Sequence, residues 1–208
     1  MRNTLSSLRK PLPVFLSLLL AACSFSYSYE GTKPVPMSPV NEWLYRSGQP
    51  TAAEFEKFHQ KGIRTVVNFR DEPQWIEWEK RGVERLGMKY VSLPWSIVKS
   101  VKPELLDQLF EVLDNPANHP VLMHCKHGRD RTGVMTTLAL MRYEKLSEAQ
   151  AREQALETVR PNLRYRMFVN QKVDFFIKKK AFLISGSSGK GPETVESKPE
   201  EKPAPVAA

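Results

Sequence analysis

The sequence predicts an α/β fold, in which a central sheet is flanked by helices. The first reason is that short apolar runs alternate with segments of helical periodicity between residues 41 and 183. The second is size, because 208 residues are enough for one domain with a substantial core. The third is a strand–loop–helix unit, in which the apolar run Val121–His124 leads through a polar loop into an apolar helix over Thr132–Tyr143.

Four segments have the pattern of strands, in chain order Trp43–Arg46, Ile63–Phe69, Met88–Leu93 and Val121–His124. The second is β-branched and apolar, which is typical of a strand that is buried on both faces.

Six segments have the pattern of helices. Thr51 and Glu54 have the spacing of a capping box at the start of Ala52–Gln60. Four leucines of Pro103–Leu113 share one helical face, and its proline suits a first turn. The other four are Gln74–Leu86, Thr132–Tyr143, a helix from the capping Ser147 to Val159 that Pro161 ends, and Tyr165 to about Phe182.

Residues 1–22 have the features of a signal peptide. A basic start precedes the apolar run Val14–Leu20, which is too short to span a bilayer. Residues 20–23 read LAAC and resemble the lipobox of bacterial lipoproteins. That resemblance implies a lipidated Cys23 and an exported protein that is lipid-anchored in the bacterial envelope. By the same resemblance, Ser24 after the cysteine favours the outer membrane and periplasm over retention in the inner membrane. The alternative is an ordinary signal peptide with an incidental cysteine.

The composition divides the rest of the chain into a tether, a domain and a tail. Residues 23–40 are rich in Ser, Tyr and Pro and predict the lipidated N-terminus with a linker, residues 41–183 the folded domain, and residues 184–208 a disordered tail. If Cys23 carries lipid, Cys125 is the sole thiol of the mature protein. Because exported proteins normally use cysteine in pairs for disulfides, a lone cysteine indicates a chemical rather than a structural role.

The net charge of +8 favours acidic partners, but no nucleic-acid motif is present. The oligomeric state is left open.

The stretch His124–Gly133 reads HCKHGRDRTG and has the chemistry of a phosphate cradle. Backbone N–H groups of a loop at a helix N-terminus bind oxyanions, and Arg131 can grip two phosphate oxygens at once. The same positive field favours the thiolate of Cys125, an in-line nucleophile beneath a bound phosphoryl group. Gly128 permits the tight backbone path, and Thr132 can donate a hydrogen bond to the sulfur. We expect His124 to order the loop by hydrogen bonding to the backbone behind the cysteine.

The stretch resembles the phosphate-binding loop of cysteine-dependent phosphatases of the protein tyrosine and dual-specificity superfamily. The residues that fall on its fixed positions are His124, Cys125, Gly128, Arg131, Thr132 and Gly133. The order of elements over residues 41–183 fits the same resemblance. It implies a single dual-specificity-phosphatase-like domain with a mixed sheet, a phosphocysteine intermediate, and a reaction that needs no metal or organic cofactor.

Two segments upstream of the loop indicate which group of the superfamily the chain resembles. Arg46–Thr51 and Val66–Glu72 resemble the tyrosine-phosphatase-like inositol polyphosphatases, which include the cysteine phytases. Three further basic residues of the loop, Lys126, His127 and Arg129, would favour a substrate with several phosphates. Together these features predict an inositol polyphosphate such as inositol hexakisphosphate as substrate. Phosphotyrosine or a phosphoinositide is the alternative.

The sequence identifies the proton donor for the leaving oxygen less clearly than it identifies the nucleophile. Relatives carry an aspartate after the strand that here is Met88–Leu93, but residues 93–100 contain no carboxylate. Asp130, inside the loop, is the first substitute, and Asp71 and Glu72 are the second choice. Asp130 could instead pair with a basic neighbour to hold the loop, and Asp71 could be a turn residue.

Three other kinds of site remain possible on this pattern. A zinc site would use His124, Cys125 and His127, but no second ligand pair follows at suitable spacing. A phosphate-binding module without activity is disfavoured because Cys125 and Arg131 are both present. A rhodanese or arsenate reductase also uses a loop cysteine, but the Arg-Thr-Gly ending favours a phosphatase.

Overall fold

The computed structural model describes residues 34–96, 99–157 and 163–184. The strands are β1 (Ser38–Pro39), β2 (Leu44–Ser47), β3 (Thr65–Asn68), β4 (Lys89–Ser92) and β5 (Val121–His124). The helices are α1 (Ala52–Gln60), α2 (Pro73–Arg85), α3 (Glu104–Leu113), α4 (Asp130–Tyr143), α5 (Glu148–Glu157) and α6 (Leu163–Ile184), and residues Pro116–Asn118 form a 3₁₀ turn.

The strands form one mixed sheet in the order β1-β2-β5-β3-β4, which confirms the predicted α/β architecture. β2, β5, β3 and β4 are parallel, and β1 joins β2 antiparallel at the edge. The last residues of the three inner strands, Ser47, His124 and Asn68, lie side by side in register. The loops that follow these strands therefore meet at one edge of the sheet, where α/β proteins bind their ligands.

Helices cover both faces of the sheet. Leu122 packs with the apolar side chains of α1 and α2, whereas its neighbour Met123 packs on the other face with α3, α4 and α6. Because successive side chains of a strand point to opposite faces, a strand between two helical layers is apolar throughout. This alternation holds β5, and so the loop after it, between two apolar layers.

Most element boundaries agree with the sequence prediction to within two residues. The capping box of Thr51 and Glu54 is present at the start of α1. α4 begins at Asp130 rather than Thr132, so that the last residues of the polar loop form its first turn. α5 agrees where it can be compared, since residues 158–162 lie outside the described ranges.

The predicted tether over residues 23–40 is wrong for its last seven residues. Ser38 and Pro39 form β1, and Val35 is buried with its N–H and C=O hydrogen bonded to His127 and Gly48. Three prolines made this stretch look extended and unpaired, but an edge strand tolerates proline. The signal peptide, Cys23 and the tail from residue 185 lie outside the described residues.

Among the helices that the structure describes, none is long and apolar enough to cross a membrane. The same part of the chain contains no cluster of three or more His, Cys, Asp or Glu side chains that could hold a metal ion.

Candidate active site

The loop between β5 and α4 wraps around the sulfur of Cys125. Cys125 is buried and is a free thiol, and the N–H of Gly128 donates to its Sγ at 3.3 Å. Gly128 has φ +75°, and a Cβ there would lie 2.5 Å from the carbonyl oxygen of Ser47 and 2.6 Å from the N of Gly48. Only glycine fits a left-handed backbone pressed against another chain segment. The loop thus holds a backbone N–H group against the sulfur.

Arg131 lies in the first turn of α4, and its Nη1 has three hydrogen-bond acceptors. Its Nη1 donates to Asp71 Oδ1 at 2.7 Å, to the Phe69 carbonyl at 3.1 Å and to the Trp95 carbonyl at 3.1 Å. Asp71 is 40% exposed, whereas Arg131 is 8% exposed. The structure therefore brings Asp71, which follows β3, into direct contact with the predicted phosphate-binding arginine.

Residues before β1, within β2 and just after β2 hydrogen bond to the loop from behind. The Gln49 N–H donates to the Lys126 carbonyl and the Val35 N–H to the His127 carbonyl, each at 3.1 Å. Arg46, a buried residue of β2, donates from Nη2 to the Gly128 carbonyl at 2.7 Å. These bonds give a structural reason for part of the upstream pattern that the sequence singled out over residues 46–51.

His124 orders the loop through a side-chain partner that the sequence analysis missed. Its Nε2 lies 2.6 Å from Glu79 Oε1, and both side chains are fully buried. Glu79 Oε2 also accepts from Gln49 Nε2 at 2.8 Å and from Asn68 Nδ2 at 3.1 Å. The expectation that His124 bonds to the backbone is wrong, since its other ring nitrogen has no hydrogen-bond partner within the described chain.

A weak signal for Glu79 exists in the sequence. Glu79 and Val83 are four residues apart, so they share a face of α2, and both are buried. A carboxylate on the apolar face of a helix suggests a buried polar partner.

Glu72 is bound to a neighbouring arginine. Arg70 Nη2 and Nε donate to Glu72 at 2.8 and 3.1 Å, and the Arg70 guanidinium lies 4.5 Å from the ring centre of Trp75. Partial burial acts to raise the pKa of Glu72, but the hydrogen bonds and charge of Arg70, with the charge of Arg131, hold it below its usual value. Because Arg70 holds both carboxylate oxygens of Glu72, this side chain is a poor choice for the general acid.

The three additional basic residues of the loop differ in their surroundings. Lys126 is exposed, Arg129 is half-buried and His127 is buried. Burial, followed by the charges of Lys126, Arg129, Arg131 and Arg70, lowers the pKa of His127 to about 4. His127 is therefore neutral at pH 7, and contrary to expectation it adds no positive charge to the loop.

The remaining predicted residues lie at the start of α4. Asp130 is 7% exposed and has an interaction partner. Thr132 is fully buried, and its hydroxyl has no hydrogen-bond partner in the described ranges, so the predicted bond to the sulfur is not formed here. A Cβ at Gly133 would meet Val169 Cγ2 at 3.5 Å, an ordinary contact distance, so the space there does not demand glycine.

A cleft of about 430 Å³ opens beside the arginine. Its lining includes Asp71, Trp95, Lys99 and Lys102. Since Asp71 and the Trp95 carbonyl both contact Arg131, this cleft adjoins the phosphate cradle and places two exposed ammonium groups near it.

Comparison with known proteins shows two informative curated relatives. An inositol diphosphatase of Oryza sativa is 30% identical over 104 residues, which are 48% of this chain and 50% of the relative. The dual specificity protein phosphatase TpbA of Pseudomonas aeruginosa is 33% identical over 104 residues, 49% of this chain and 43% of the relative. The chain thus spans about half the length of the curated relatives it matches.

Solved structures share the fold. A crystal structure of TpbA with phosphotyrosine has a TM-score of 0.59 at 20% identity and covers 74% of this chain and 92% of its own. The core catalytic domain of a PP-IP phosphatase of S. cerevisiae has a TM-score of 0.55 at 21% identity and covers 73% and 96%.

A family model described as DSP-PTPase phosphatase fused to NAD+ kinase matches residues 25–171, which include every element from β1 to α5. The chain therefore belongs to this family of dual-specificity-type protein tyrosine phosphatases.

Proposed function

We propose that the protein is a cysteine-dependent phosphomonoesterase that works through a phosphocysteine intermediate. The observation that carries this proposal is the placement of Cys125 Sγ in the loop at the N-terminus of α4, with the Gly128 N–H 3.3 Å away. Backbone N–H groups and the positive end of a helix stabilise both a thiolate and a bound phosphate. Cys125 is the nucleophile, and the loop amides with Arg131 bind the phosphoryl oxygens.

In the first step, a bond forms between Sγ and phosphorus while the bond from phosphorus to the leaving oxygen breaks. In-line attack from the base of the loop directs the leaving oxygen away from Cys125 towards solvent. We propose Asp71 rather than Asp130 as the proton donor, because Asp71 is 40% exposed at Arg131 whereas Asp130 is buried in the first turn of α4. A bound phosphate would take Arg131 as its own partner and release the Asp71 carboxyl towards the leaving oxygen.

In the second step, water attacks phosphorus, the bond to sulfur breaks, and phosphate leaves. The carboxylate formed in the first step accepts a proton from that water. The departing sulfur keeps the Gly128 N–H as a donor, and Thr132, which follows Arg131 in α4, is available to donate a second hydrogen bond. Glu79 and His124 hold the start of the loop in place during both steps.

We propose an inositol polyphosphate as substrate, with inositol hexakisphosphate as the first compound to test. Lys99 and Lys102 in the cleft and Lys126 on the loop are exposed cations that could bind phosphates other than the one being cleaved. The rice inositol diphosphatase supports this substrate class, although it matches only about half of the chain.

The test is phosphate release from inositol hexakisphosphate, a phosphotyrosine peptide and a phosphoinositide. The double variant Lys99→Ala/Lys102→Ala should raise KM for the inositol polyphosphate several-fold and leave p-nitrophenyl phosphate unaffected. The matched control is Lys57→Ala/Lys61→Ala, which removes two exposed lysines at the end of α1. Equal effects of both double variants, or activity on the peptide alone, would contradict the proposed substrate.

A protein tyrosine, dual-specificity or phosphoinositide phosphatase is the second candidate. TpbA, a dual specificity protein phosphatase at 33% identity, supports it. The same panel of substrates separates this candidate from the first.

We also propose, from the N-terminal sequence, an exported protein with a lipid on Cys23 in the bacterial envelope. The motif LAAC at residues 20–23 supports this proposal. Labelling with radioactive palmitate in a bacterial host, with Cys23→Ala as the unlabelled control, tests it. Equal labelling of the two chains would contradict it.

A further inference from the structure

Arg46 is a second arginine in contact with the catalytic loop. It lies on β2 and is 2% exposed. Its Nη2 donates to the Gly128 carbonyl at 2.7 Å and its Nη1 to the Ala155 carbonyl of α5 at 2.5 Å. The side chain therefore bridges the loop and a helix without reaching solvent.

The charge of Arg46 has no carboxylate partner among the residues that the structure describes, and its Nε has no hydrogen-bond acceptor there. Two other arginines near the loop have carboxylate partners, since Arg131 pairs with Asp71 and Arg70 with Glu72. A buried charge is costly unless an opposite charge compensates it. Burial lowers the pKa of Arg46 to about 10, while the charge of Cys125 acts to raise it. At neutral pH the guanidinium is charged, and Gly128 links it to Cys125, because the Gly128 carbonyl accepts from Arg46 and the Gly128 N–H donates to Sγ.

Gly128 is fixed on both sides of its α-carbon. Its N–H faces Cys125 Sγ, its carbonyl accepts from Arg46, and Ser47 and Gly48 fill the space where a side chain would be. The residues that support the loop from behind thus also direct its amide towards the sulfur.

We propose that Arg46 is a positioning residue that holds Gly128 against the sulfur and stabilises the Cys125 thiolate from behind the loop. This inference rests on the proposed phosphatase function, in which the thiolate is the nucleophile. Arg46 does not touch the substrate, so its loss should lower kcat more than it changes KM. The titratable or charged groups that also face the cysteine or its loop are His124 with Glu79, Lys126, His127, Arg129, Asp130 and Arg131 with Asp71.

The test compares Arg46→Gln, which removes the charge but keeps a donor, with Arg46→Lys, which keeps the charge but cannot bridge both carbonyls. Each is made in the full chain with Cys23→Ser, so that Cys125 is the sole thiol. The rate of alkylation by the neutral reagent iodoacetamide is followed against pH. The control is Arg64→Gln, at an exposed arginine just before β3.

At pH values below both midpoints of the pH profile, Arg46→Gln should react about tenfold more slowly than the parent, as expected if half-maximal reactivity moves up by about one pH unit. Arg46→Lys and Arg64→Gln should keep the parent midpoint, with lower kcat in Arg46→Lys. An unshifted midpoint in folded Arg46→Gln, or equal shifts in both Arg46 variants, would overturn the proposal.

If Arg46→Gln does not fold, the test rests on Arg46→Lys. A shifted midpoint with an unchanged kcat in that variant would overturn the proposal, whereas an unshifted midpoint with a lower kcat would support it. Alkylation needs no turnover. A parent protein that lacks phosphatase activity but shows these midpoints would count against the proposed function and not against the role of Arg46.

Discussion

Replacing Glu79 by alanine should destabilise the domain strongly, because its carboxylate accepts three hydrogen bonds inside the fold. The donors are His124 at 2.6 Å, Gln49 at 2.8 Å and Asn68 at 3.1 Å. Glu79 and His124 are both 0% exposed, so water cannot replace the lost partner. Leaving a buried donor without its acceptor costs about 1–3 kcal/mol, and removing the Glu79 carboxylate does this to three donors at once. We expect the free energy of unfolding to fall by about 3 kcal/mol or more.

The assay is urea unfolding followed by circular dichroism at pH 7. Glu77→Ala is the matched control on the same helix, because Glu77 is 61% exposed and lies 3.6 Å from Arg81. An exposed pair of this kind contributes less than about 1 kcal/mol. A loss below about 1 kcal/mol in Glu79→Ala would refute the reasoning.

A double-mutant cycle isolates the pair itself. Glu79→Ala/His124→Ala should lose clearly less than the sum of the two single variants, since neither polar group is then left buried alone. Strictly additive losses would mean that the two side chains act independently.

Three further predictions concern the loop and its surroundings. Gly128→Ala should abolish most activity and lower the free energy of unfolding by at least about 1–2 kcal/mol, because the backbone there is left-handed. Gly82→Ala, where a Cβ would meet nothing within 4 Å, should be neutral or stabilising. Similar losses at the two sites in urea unfolding would be inconsistent with this prediction. The fold lowers the pKa of His127 to about 4 and so favours the neutral ring over the charged one. The stability that depends on the neutral ring is therefore complete above about pH 6.5 and is lost as the pH falls towards 4. Thermal unfolding of His127→Gln should therefore depend less on pH over that window, and parallel curves would argue against it. Asp71→Asn should slow esters with poor leaving groups much more than p-nitrophenyl phosphate, and a larger selective effect in Asp130→Asn would assign the proton to Asp130 instead.

The sequence was most informative where local chemistry determines structure. The strand, loop and helix around Cys125 were predicted because apolar runs, a glycine and a helix pattern are all local signals. The sequence also predicted a tight backbone path at Gly128, where φ is +75°. Fold class followed from the alternation of strands and helices.

Contacts between distant parts of the chain were not predicted. Glu79 and His124 are 45 residues apart, and Arg131 and Asp71 are 60 apart. Only the order of strands in the sheet places the loop after β3 and the start of α4 at the same edge. β1 was not predicted either, since a two-residue strand with a proline has no periodicity of its own and is defined only by its pairing with β2.

Cys125 is the proposed nucleophile of a phosphomonoesterase. Rapid acid quenching during turnover of p-nitrophenyl phosphate, followed by mass spectrometry of the protein, tests it most directly. We predict a phosphoryl group on Cys125 in the parent chain, and no adduct and no turnover in Cys125→Ser, which should still bind phosphate. Turnover by Cys125→Ser, or steady turnover by the parent with the phosphoryl group on another residue, would contradict the claim.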